Sequence, residues 1–390
     1  MTTKKQWGLQ TRAIHAGEGD ERDVAPALHV ATTYEFRSAE ESARAFEEEH
    51  LPIYTRWGNP TLEGLETKIA ALEGGEAALA TASGMAAVST ALLSVLGAGD
   101  HVVATTGLYS GTFNLLTRDL PRYGVTATLV PAADVAAFQE ALRPETKLIY
   151  LESPGNPTLA LNDLAAITEV ARSRGVLTVV DNTFATPYNQ HPLELGVDAI
   201  VYSATKFLCG HGDAVGGLIV GPENFVRHAR QGALRNFGGC ISPFNAWLIA
   251  RGMETFPLRM ARHNANALAI ANWLADHPAV DWVRYPWHPS HTQYELAKRQ
   301  MPGGGGGVVV FELQGGLAAG SRLLDRVELC TLAVSLGDTR TLITHPASTT
   351  HHSLPREVRL ASGISDGLVR LAVGLEDVAD LVADLDRALG

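Results

Sequence analysis

The chain has 390 residues, enough for two domains, and its composition of 46% apolar and 19% charged residues fits a globular protein with a large core. A formal net charge of −11 argues against a nucleic-acid-binding surface, which needs clustered Lys and Arg. No apolar run approaches the ~18 residues of a membrane span, so we expect no membrane association.

The three cysteines are Cys209, Cys240 and Cys330, and their spacing matches neither a disulfide framework nor a paired metal site. This usage fits a reducing compartment, and the first residues lack the apolar segment of a secretory signal. We therefore expect a soluble, cytoplasmic protein. Cys209 is a possible nucleophile, although a free cysteine is more often a small buried apolar residue.

Three segments are predicted along the chain. Residues 1–60 are irregular apart from one short helix near 39–49, and a segment of that length is expected to wrap a partner or a second subunit. Residues 61–255 alternate helices and strands, which predicts a mostly parallel sheet with helices on both faces. Residues 256–390 predict a smaller α+β unit.

The predicted elements follow from apolar periodicity and from turn residues. In chain order they are helices at 62–72 and 83–96, a strand at 101–105, a helix at 135–142, a strand at 148–152, a helix at 164–174, strands at 176–181, 199–203 and 217–220, helices from 242 to about 276 with a break at Pro257, strands at 280–284, 308–313, 331–336, 342–345 and 368–373, and a helix at 378–389. The glycine run 303–307 predicts a flexible surface loop.

Two strand ends carry an amine and a carboxylate. Lys206 follows the strand 199–203, and Asp181 ends the strand 176–181. Both would lie at the C-terminal edge of the sheet, where open α/β sheets bind ligands. Pyridoxal phosphate needs an amine for its Schiff base and a carboxylate for its pyridinium nitrogen. A buried structural Lys–Asp pair is the alternative.

A candidate phosphate site lies beside these strand ends. Ser83, Gly84 and Met85 open a predicted helix, whose N-terminus offers free N–H groups and the positive end of the helix dipole. A serine at that place is also a common N-cap. Together with the hydroxyls of Ser203 and Thr205, the helix start predicts a cup for a phosphate dianion.

Tyr54 and Arg56 lie in the irregular N-terminal segment. A surface arginine is the ordinary expectation for Arg56. If the segment crosses to a neighbouring subunit, both side chains would complete the phosphate site there. The active site would then exist only in the oligomer.

Tyr109 and Asn156 each follow a predicted strand. The ring of Tyr109 is able to stack on a flat heteroaromatic group and its hydroxyl to act as an acid, although a half-buried core tyrosine is the default. Asn156 lies between Pro154 and Pro157, which restrict the backbone and so suit a fixed side chain. An ordinary turn asparagine without a functional role explains the residue equally well.

Arg370 interrupts an apolar strand, where an unpaired cation is costly. Either a fixed internal ion pair or a substrate carboxylate would explain it, since guanidinium geometry matches a carboxylate. Ser335 and Leu336, near the end of another strand, could add a hydroxyl and backbone amides to the same carboxylate. The three histidines His345, His351 and His352 lack zinc-site spacing, so we expect no metal.

These motifs resemble the Cys/Met-metabolism group of pyridoxal-phosphate enzymes, of the aspartate-aminotransferase-like fold type I. The group includes methionine γ-lyase, cystathionine γ-lyase, cystathionine γ-synthase and the O-acylhomoserine sulfhydrylases. The resemblance covers nearly the whole chain from about Thr11. Its markers are the segments 54–56, 82–85, 152–157, 180–183, 203–206, 335–337, 345–348 and 368–374.

The resemblance implies a role for each candidate residue. Lys206 forms the Schiff base, Asp181 pairs with the ring nitrogen, Tyr109 stacks on the ring and Asn156 reaches its 3-hydroxyl. The implied phosphate ligands are Ser83, Gly84, Met85, Ser203 and Thr205, with Tyr54 and Arg56 from the adjacent subunit. Ser335, Leu336 and Arg370 would bind the substrate carboxylate, and members are typically homotetramers built from two dimers.

The implied activity is α,γ-elimination from a sulfur amino acid, with γ-replacement as the alternative. Residues 211–213 and 335–338 resemble methionine γ-lyases, whereas residues 242–247 resemble O-acetylhomoserine sulfhydrylases. Gly111 stands where typical bacterial methionine γ-lyases carry a cysteine. A non-catalytic binding protein that kept the fold would have lost Lys206 or Asp181, and both are present.

Overall fold

A computed structural model describes residues 7–18, 23–48, 51–350, 352, 355–361 and 363–390. Within these residues, seven strands form a large sheet and five form a smaller one. The strands of the large sheet are β1 (Ala77–Thr81), β2 (His101–Thr105), β3 (Thr126–Val130), β4 (Thr146–Glu152), β5 (Leu177–Asp181), β6 (Ala199–Ser203) and β7 (Gly217–Gly221). Those of the small sheet are β8 (Val280–Arg284), β9 (Val308–Leu313), β10 (Thr331–Leu332), β11 (Leu342–Thr344) and β12 (Leu368–Ala372).

Helices surround both sheets. They are α1 (Leu9–His15), α2 (Ala39–Glu48), α3 (Pro60–Glu73), α4 (Gly84–Leu93), α5 (Ser110–Asn114), α6 (Val135–Ala141), α7 (Leu164–Ser173), α8 (Thr186–Asn189), α9 (Glu223–Ala229), α10 (Arg235–Phe237), α11 (Pro243–Glu254), α12 (Phe256–Ala275), α13 (Tyr294–Gln300), α14 (Gly316–Arg326), α15 (Arg356–Ala361) and α16 (Val378–Leu389). Short π-helical or 3-10 stretches are Leu115–Asp119, Leu120–Tyr123, Pro192–Leu195 and Arg230–Leu234.

The large sheet has the order β1-β7-β6-β5-β4-β2-β3. Strand β7 runs antiparallel to β1 and β6, and the pairs from β6 to β3 are parallel. Successive residues of β5 and β6 alternate between apolar clusters on opposite faces, so helices cover both sides of the sheet. The α/β fold with a mostly parallel sheet is therefore confirmed, and the C-terminal ends of β4, β5 and β6 meet at one edge.

The small sheet follows the long helix α12 and has the order β10-β11-β12-β9-β8. It is antiparallel except for the pair β10–β11. Residues of α12, α14 and α16 pack with its strands in one apolar cluster. The smaller C-terminal α+β unit is thus present, and it brings β12 against the same edge of the large sheet.

The N-terminal segment contains a helix that sequence analysis missed. Helix α1 packs on its own chain, where Lys68 Nζ donates to the carbonyl oxygens of Ala13 at 2.6 Å and Ile14 at 2.8 Å. Strands β1 and β3 were missed as well, and the strand predicted at 331–336 shortens to Thr331–Leu332. Whether the rest of residues 1–60 reaches a neighbouring subunit stays a prediction.

The glycine run at 303–307 is not the flexible surface loop that its composition predicts. Gly304, Gly305, Gly306 and Gly307 are buried. A Cβ atom on Gly304 would lie 2.2 Å from Asn264 Nδ2, and one on Gly305 would lie 2.6 Å from Tyr285 Cζ. At Gly304, Gly305 and Gly307 the surrounding side chains leave no space for a Cβ.

The described residues show neither a membrane-spanning helix nor a cluster of metal ligands. None of the helices there has the length and apolar character to cross a bilayer. No set of three or more His, Cys, Asp or Glu is arranged around a metal position. The ring of His345 instead hydrogen-bonds Ser348 Oγ and the Asp366 carbonyl, both at 2.8 Å, and His351 lies outside the described residues.

Candidate active site

A cavity of about 660 Å³ lies where the C-terminal ends of β4, β5 and β6 meet the small sheet. All the predicted site residues except Tyr54 and Arg56 line it. They are Ser83, Gly84, Met85, Tyr109, Asn156, Asp181, Ser203, Thr205, Lys206, Ser335, Leu336 and Arg370. The fold therefore collects side chains from the ends of β5 and β6, from β12, from the start of α4 and from the intervening loops into one place.

Lys206 is held by the turn that follows β6, where its backbone N–H donates to the Ser203 carbonyl at 3.2 Å. Its Nζ atom donates to Ser335 Oγ at 2.7 Å. Burial lowers the pKa of Lys206, and the positive charge of Arg370 lowers it further. No carboxylate of the described chain pairs with this amine, so the structural Lys206–Asp181 ion pair considered as an alternative is not formed.

Asp181 faces the cavity from the end of β5. Its Oδ1 atom accepts a hydrogen bond from the Thr183 backbone N–H at 2.9 Å. Burial raises the pKa of Asp181, and the hydrogen bonds from Thr183 oppose that rise. A half-buried carboxylate at this edge, without a cation from the described chain, suits a protonated nitrogen of a bound ring.

Ser83 caps α4, and its Oγ atom accepts from the Ala86 N–H at 3.1 Å. A Cβ atom on Gly84 would lie only 2.7 Å from Ser203 Cβ, so glycine lets the helix start come against the end of β6. The first N–H groups of a helix have no intrahelical partner. This cradle fits a phosphate group, in agreement with the predicted cup.

Tyr54 and Arg56 lie outside the cavity of their own chain. Arg56 Nη1 donates to the Arg235 carbonyl at 2.6 Å, and its Cζ atom lies 5.4 Å from the Tyr54 ring centroid. Tyr54 is 40% exposed. A role for these two side chains in a partner subunit stays a prediction.

Tyr109 precedes α5, and its side chain is 48% exposed at the cavity wall. Gly111 makes room for the ring. A Cβ atom at position 111 would lie 2.7 Å from Tyr109 Cε1 and 2.9 Å from Met85 Sδ. In this chain, a larger residue at 111 would therefore displace either the ring or Met85.

Arg370 lies buried in β12, and its guanidinium bonds only neutral acceptors. Nη1 donates to Asn156 Oδ1 at 3.0 Å, and Nη2 donates to the carbonyl oxygens of Val334 at 3.0 Å and Ser335 at 3.1 Å. Nε is buried and has no acceptor among the described residues. Burial lowers the pKa of Arg370 to about 10. No carboxylate among the described residues forms the internal ion pair considered for Arg370, which leaves the charge available to an anionic ligand.

Sequence analysis did not assign a site role to several residues of the cavity wall. The most notable is Glu152, which ends β4 directly beside Asp181 in register. In the sequence, the signal that indicates Glu152 as a site residue is a carboxylate at the end of an apolar strand. Thr183, Phe184, Val215 and Val334 also line the cavity, and only the folded arrangement identifies them.

Comparison with known proteins agrees with this geometry. The family described as Cys/Met metabolism PLP-dependent enzyme matches residues 10–390. L-methionine gamma-lyase from Porphyromonas gingivalis is 48% identical over 98% of this chain and 97% of its own length. O-succinylhomoserine sulfhydrylase from Pseudomonas aeruginosa is 43% identical, over 98% of this chain and 95% of its own.

Solved structures give the same result. The crystal structure of cystathionine gamma-lyase from Lactobacillus plantarum, complexed with L-serine, has a TM-score of 0.92 and 39% identity over 98% of both chains. Family and fold thus agree with the cavity, whose amine, carboxylate and helix start fit the cofactor. The chain belongs to the Cys/Met-metabolism family of enzymes that depend on pyridoxal phosphate.

Proposed function

We propose that the protein is a carbon–sulfur lyase that cleaves methionine or a related sulfur amino acid by α,γ-elimination, giving a 2-oxo acid, ammonia and a thiol. One observation carries the proposal: Lys206 and Arg370 line the same cavity. The Arg370 guanidinium has no carboxylate partner among the described residues. The 48% identity with a methionine gamma-lyase over nearly the full length of both chains supports it.

The residues of the cavity divide between the cofactor and the substrate. When bound, pyridoxal phosphate draws electrons away from the Cα atom of an attached amino acid. Lys206 would hold its aldehyde carbon, and Asp181 would keep a proton on its ring nitrogen. Tyr109 would lie on the ring and Asn156 would reach the 3-hydroxyl. The phosphate ligands would be Ser83, Gly84, Met85, Ser203 and Thr205.

Lys206 and Tyr109 would carry out the proton transfers once the substrate is oriented. Arg370, with Ser335 and Leu336, would bind the substrate carboxylate and so orient Cα. Because burial lowers the pKa of Lys206, its amine is more readily neutral and would accept the α-proton. The Tyr109 hydroxyl would donate a proton to the sulfur of the departing thiolate. Positioned proton transfer of this kind contributes ~10²–10⁴-fold to a rate.

A γ-replacement reaction is the second candidate. The 43% identity with an O-succinylhomoserine sulfhydrylase favours it, and so does Gly111 in place of the cysteine of typical bacterial methionine γ-lyases. In that reaction a thiol enters where elimination would end in hydrolysis. The two outcomes use the same proton transfers, so the residues of the cavity do not separate them.

Product analysis separates the candidates. The purified protein is incubated separately with methionine, with cystathionine, and with O-acetylhomoserine plus sulfide. 2-Oxobutanoate and methanethiol from methionine are the expected products of the lyase. Homocysteine from O-acetylhomoserine and sulfide, with no 2-oxobutanoate from methionine, would replace the lyase by the sulfhydrylase.

We further propose that the enzyme is a cytoplasmic homotetramer of two dimers, with residues 1–60 as an arm, 61–255 as the cofactor domain and 256–390 as the C-terminal domain. In each dimer, Tyr54 and Arg56 of the partner subunit would complete the phosphate site. Their position outside their own cavity supports this arrangement. Substitution of Arg56 by Ala should loosen the cofactor without unfolding the subunit, and unchanged cofactor affinity would contradict it.

A further inference from the structure

Glu152 places a second carboxyl group beside Asp181. The two residues end neighbouring parallel strands in register, and both line the cavity. Glu152 is only 4% exposed. A negative charge on Asp181 disfavours ionisation of the buried Glu152 beside it.

The surroundings of Glu152 contain hydrogen-bond donors but no cation from the described chain. Its Oε2 atom accepts the Tyr109 backbone N–H at 2.8 Å. Burial, followed by the charge of Asp181, raises the pKa of Glu152 well above its usual range, and the backbone N–H groups of Tyr109 and Asn156 oppose this rise. Glu66 is different, because its carboxylate pairs with Arg230 Nη2 at 2.7 Å. Among the described residues, Glu152 is therefore held by hydrogen bonds and not by an ion pair.

The position of the Tyr109 ring depends on its backbone. The side chain is 48% exposed, and no hydrogen bond within the described residues fixes its hydroxyl. The five-residue helix α5 begins directly after Tyr109. The bond from Glu152 thus fixes the point from which the ring projects into the cavity.

We propose that Glu152 is a positioning residue, whose uncharged carboxyl group holds the Tyr109 backbone and thereby the Tyr109 ring at the pyridoxal phosphate site, and leaves Asp181 as the anion of the pair. Cofactor dependence follows from family membership, whereas the acid role of Tyr109 rests on the proposed function. Glu152 would thus anchor the Tyr109 ring from behind, without itself being one of the residues that touch the ligand.

Three substitutions of Glu152 distinguish the effect of side-chain length from the effect of charge. Glu152→Gln keeps the length and an acceptor oxygen but has no charge. Glu152→Asp keeps the acid but is one methylene too short for the Tyr109 N–H, and Glu152→Ala removes the group. Glu66→Gln is the matched control, because Glu66 is also buried and accepts a backbone N–H, from Ala80 at 2.8 Å, away from the cavity.

The main measurement is the rate at which each holoenzyme loses pyridoxal phosphate on dilution, followed by its visible absorbance, with the thermal midpoint as a check on folding. Glu152→Gln should stay within about threefold of wild type, because an isostere preserves the hydrogen bond. Glu152→Asp and Glu152→Ala should lose the cofactor roughly 10- to 100-fold faster, since a buried N–H then lacks its partner. The absorbance maximum should shift in these two variants only.

Several outcomes would overturn the proposal. If Gln fails and Asp behaves as wild type, the charge of Glu152 is what matters. If all three variants lower the thermal midpoint as Glu66→Gln does, without faster cofactor loss, the role is purely structural.

With methionine as substrate, Glu152→Asp should lower kcat and leave KM unchanged, because Arg370 still binds the carboxylate. The dilution measurement needs no substrate, so it stays valid even if methionine is not cleaved.

Discussion

Buried charged groups have different surroundings in two regions of the molecule. Between α1, α3 and β1, Lys68 donates to two carbonyl oxygens of α1, and Glu66 accepts from Arg230 and from the Ala80 N–H. In the cavity, the Lys206 amine donates to the Ser335 hydroxyl and to no other group of the described residues. Lys68 and Glu66 are thus satisfied by their own chain, whereas Lys206 and Arg370 keep hydrogen-bonding capacity for a ligand.

The difference has a physical cause. Burying a charge is costly unless it is paired or fully hydrogen-bonded. The α1–α3 region meets that condition and contributes to stability. Burial shifts pKa values toward the neutral forms in both regions. The difference is that Arg230 opposes the rise in the pKa of Glu66, whereas no cation of the described residues does so for Glu152 or Asp181. Shifts of this kind cluster at functional sites, and here they coincide with the strand ends that the fold brings together.

The largest effect is expected when Lys206 of the cavity and the buried Lys68 are exchanged for neutral residues. Lys206→Ala should lower turnover by ~10²–10⁴-fold or more, because the amine is the proposed proton acceptor. Borohydride treatment of the holoenzyme, followed by peptide mass mapping, should label Lys206 in the wild type only. Lys68→Met should instead lower the thermal midpoint, because two carbonyl oxygens of α1 lose their donor, and should keep the turnover of the folded protein.

A result from either lysine variant could contradict this difference between the two regions. Full turnover in Lys206→Ala would remove that amine from the chemistry. A folded Lys68→Met variant that bound its cofactor normally but turned over slowly would show that the α1–α3 region also serves the reaction. In both cases the division between paired structural charges and unpaired site charges would be wrong.

The strand ends of the site were predictable because compact apolar runs precede them. The predicted strands 101–105, 199–203, 280–284 and 308–313 match β2, β6, β8 and β9. β1, with the sequence AALAT, was missed because its residues are mostly alanines, which have low strand propensity. Its place at the sheet edge follows from antiparallel pairing with β7, a contact between distant parts of the chain.

Other features depend on packing between distant segments. Composition alone predicts a flexible loop at 303–307, yet Asn264 and Tyr285 fill the space where its side chains would be. Glu152 was assigned to a strand end without a role, since only the sheet register places it beside Asp181. Apolar wall residues such as Val334 carry no chemical signal in the sequence.

A smaller effect is expected from Arg370→Lys, which keeps the charge but loses the planar fork. KM for methionine should rise roughly 10- to 100-fold, since a hydrogen bond to a charged group contributes about 1.5–3 kcal/mol, and kcat should change little. Steady-state kinetics measure both constants. Arg356→Lys is the matched control, because that exposed arginine pairs with Asp366 at 2.6 Å away from the cavity. Equal KM values for the two variants would mean that Arg370 does not bind the substrate.

The smallest effect concerns His263, a buried group of α12 that is only half satisfied by its own chain. Its Nδ1 atom donates to the Val373 carbonyl at 2.7 Å, and its Nε2 atom is buried without a partner among the described residues. Burial lowers the pKa of His263 to about 4, and the charge of Arg259 lowers it too, while the Val373 bond and Asp338 oppose the shift. In the folded protein the ring therefore stays neutral in mild acid.

Because the pKa of His263 is lower in the folded than in the unfolded chain, the unfolded chain binds more protons between pH 6.5 and 4. The contribution of His263 to stability is therefore complete above pH 6.5 and decreases by about 2 kcal/mol on going to pH 5. His263→Asn keeps a donor for Val373 but does not titrate, so its free energy of unfolding in urea, at fixed protein concentration, should fall less steeply with acid than that of wild type. The exposed His228→Asn should follow the wild-type slope, and a parallel slope for His263→Asn would place the cause of acid lability among the other buried groups.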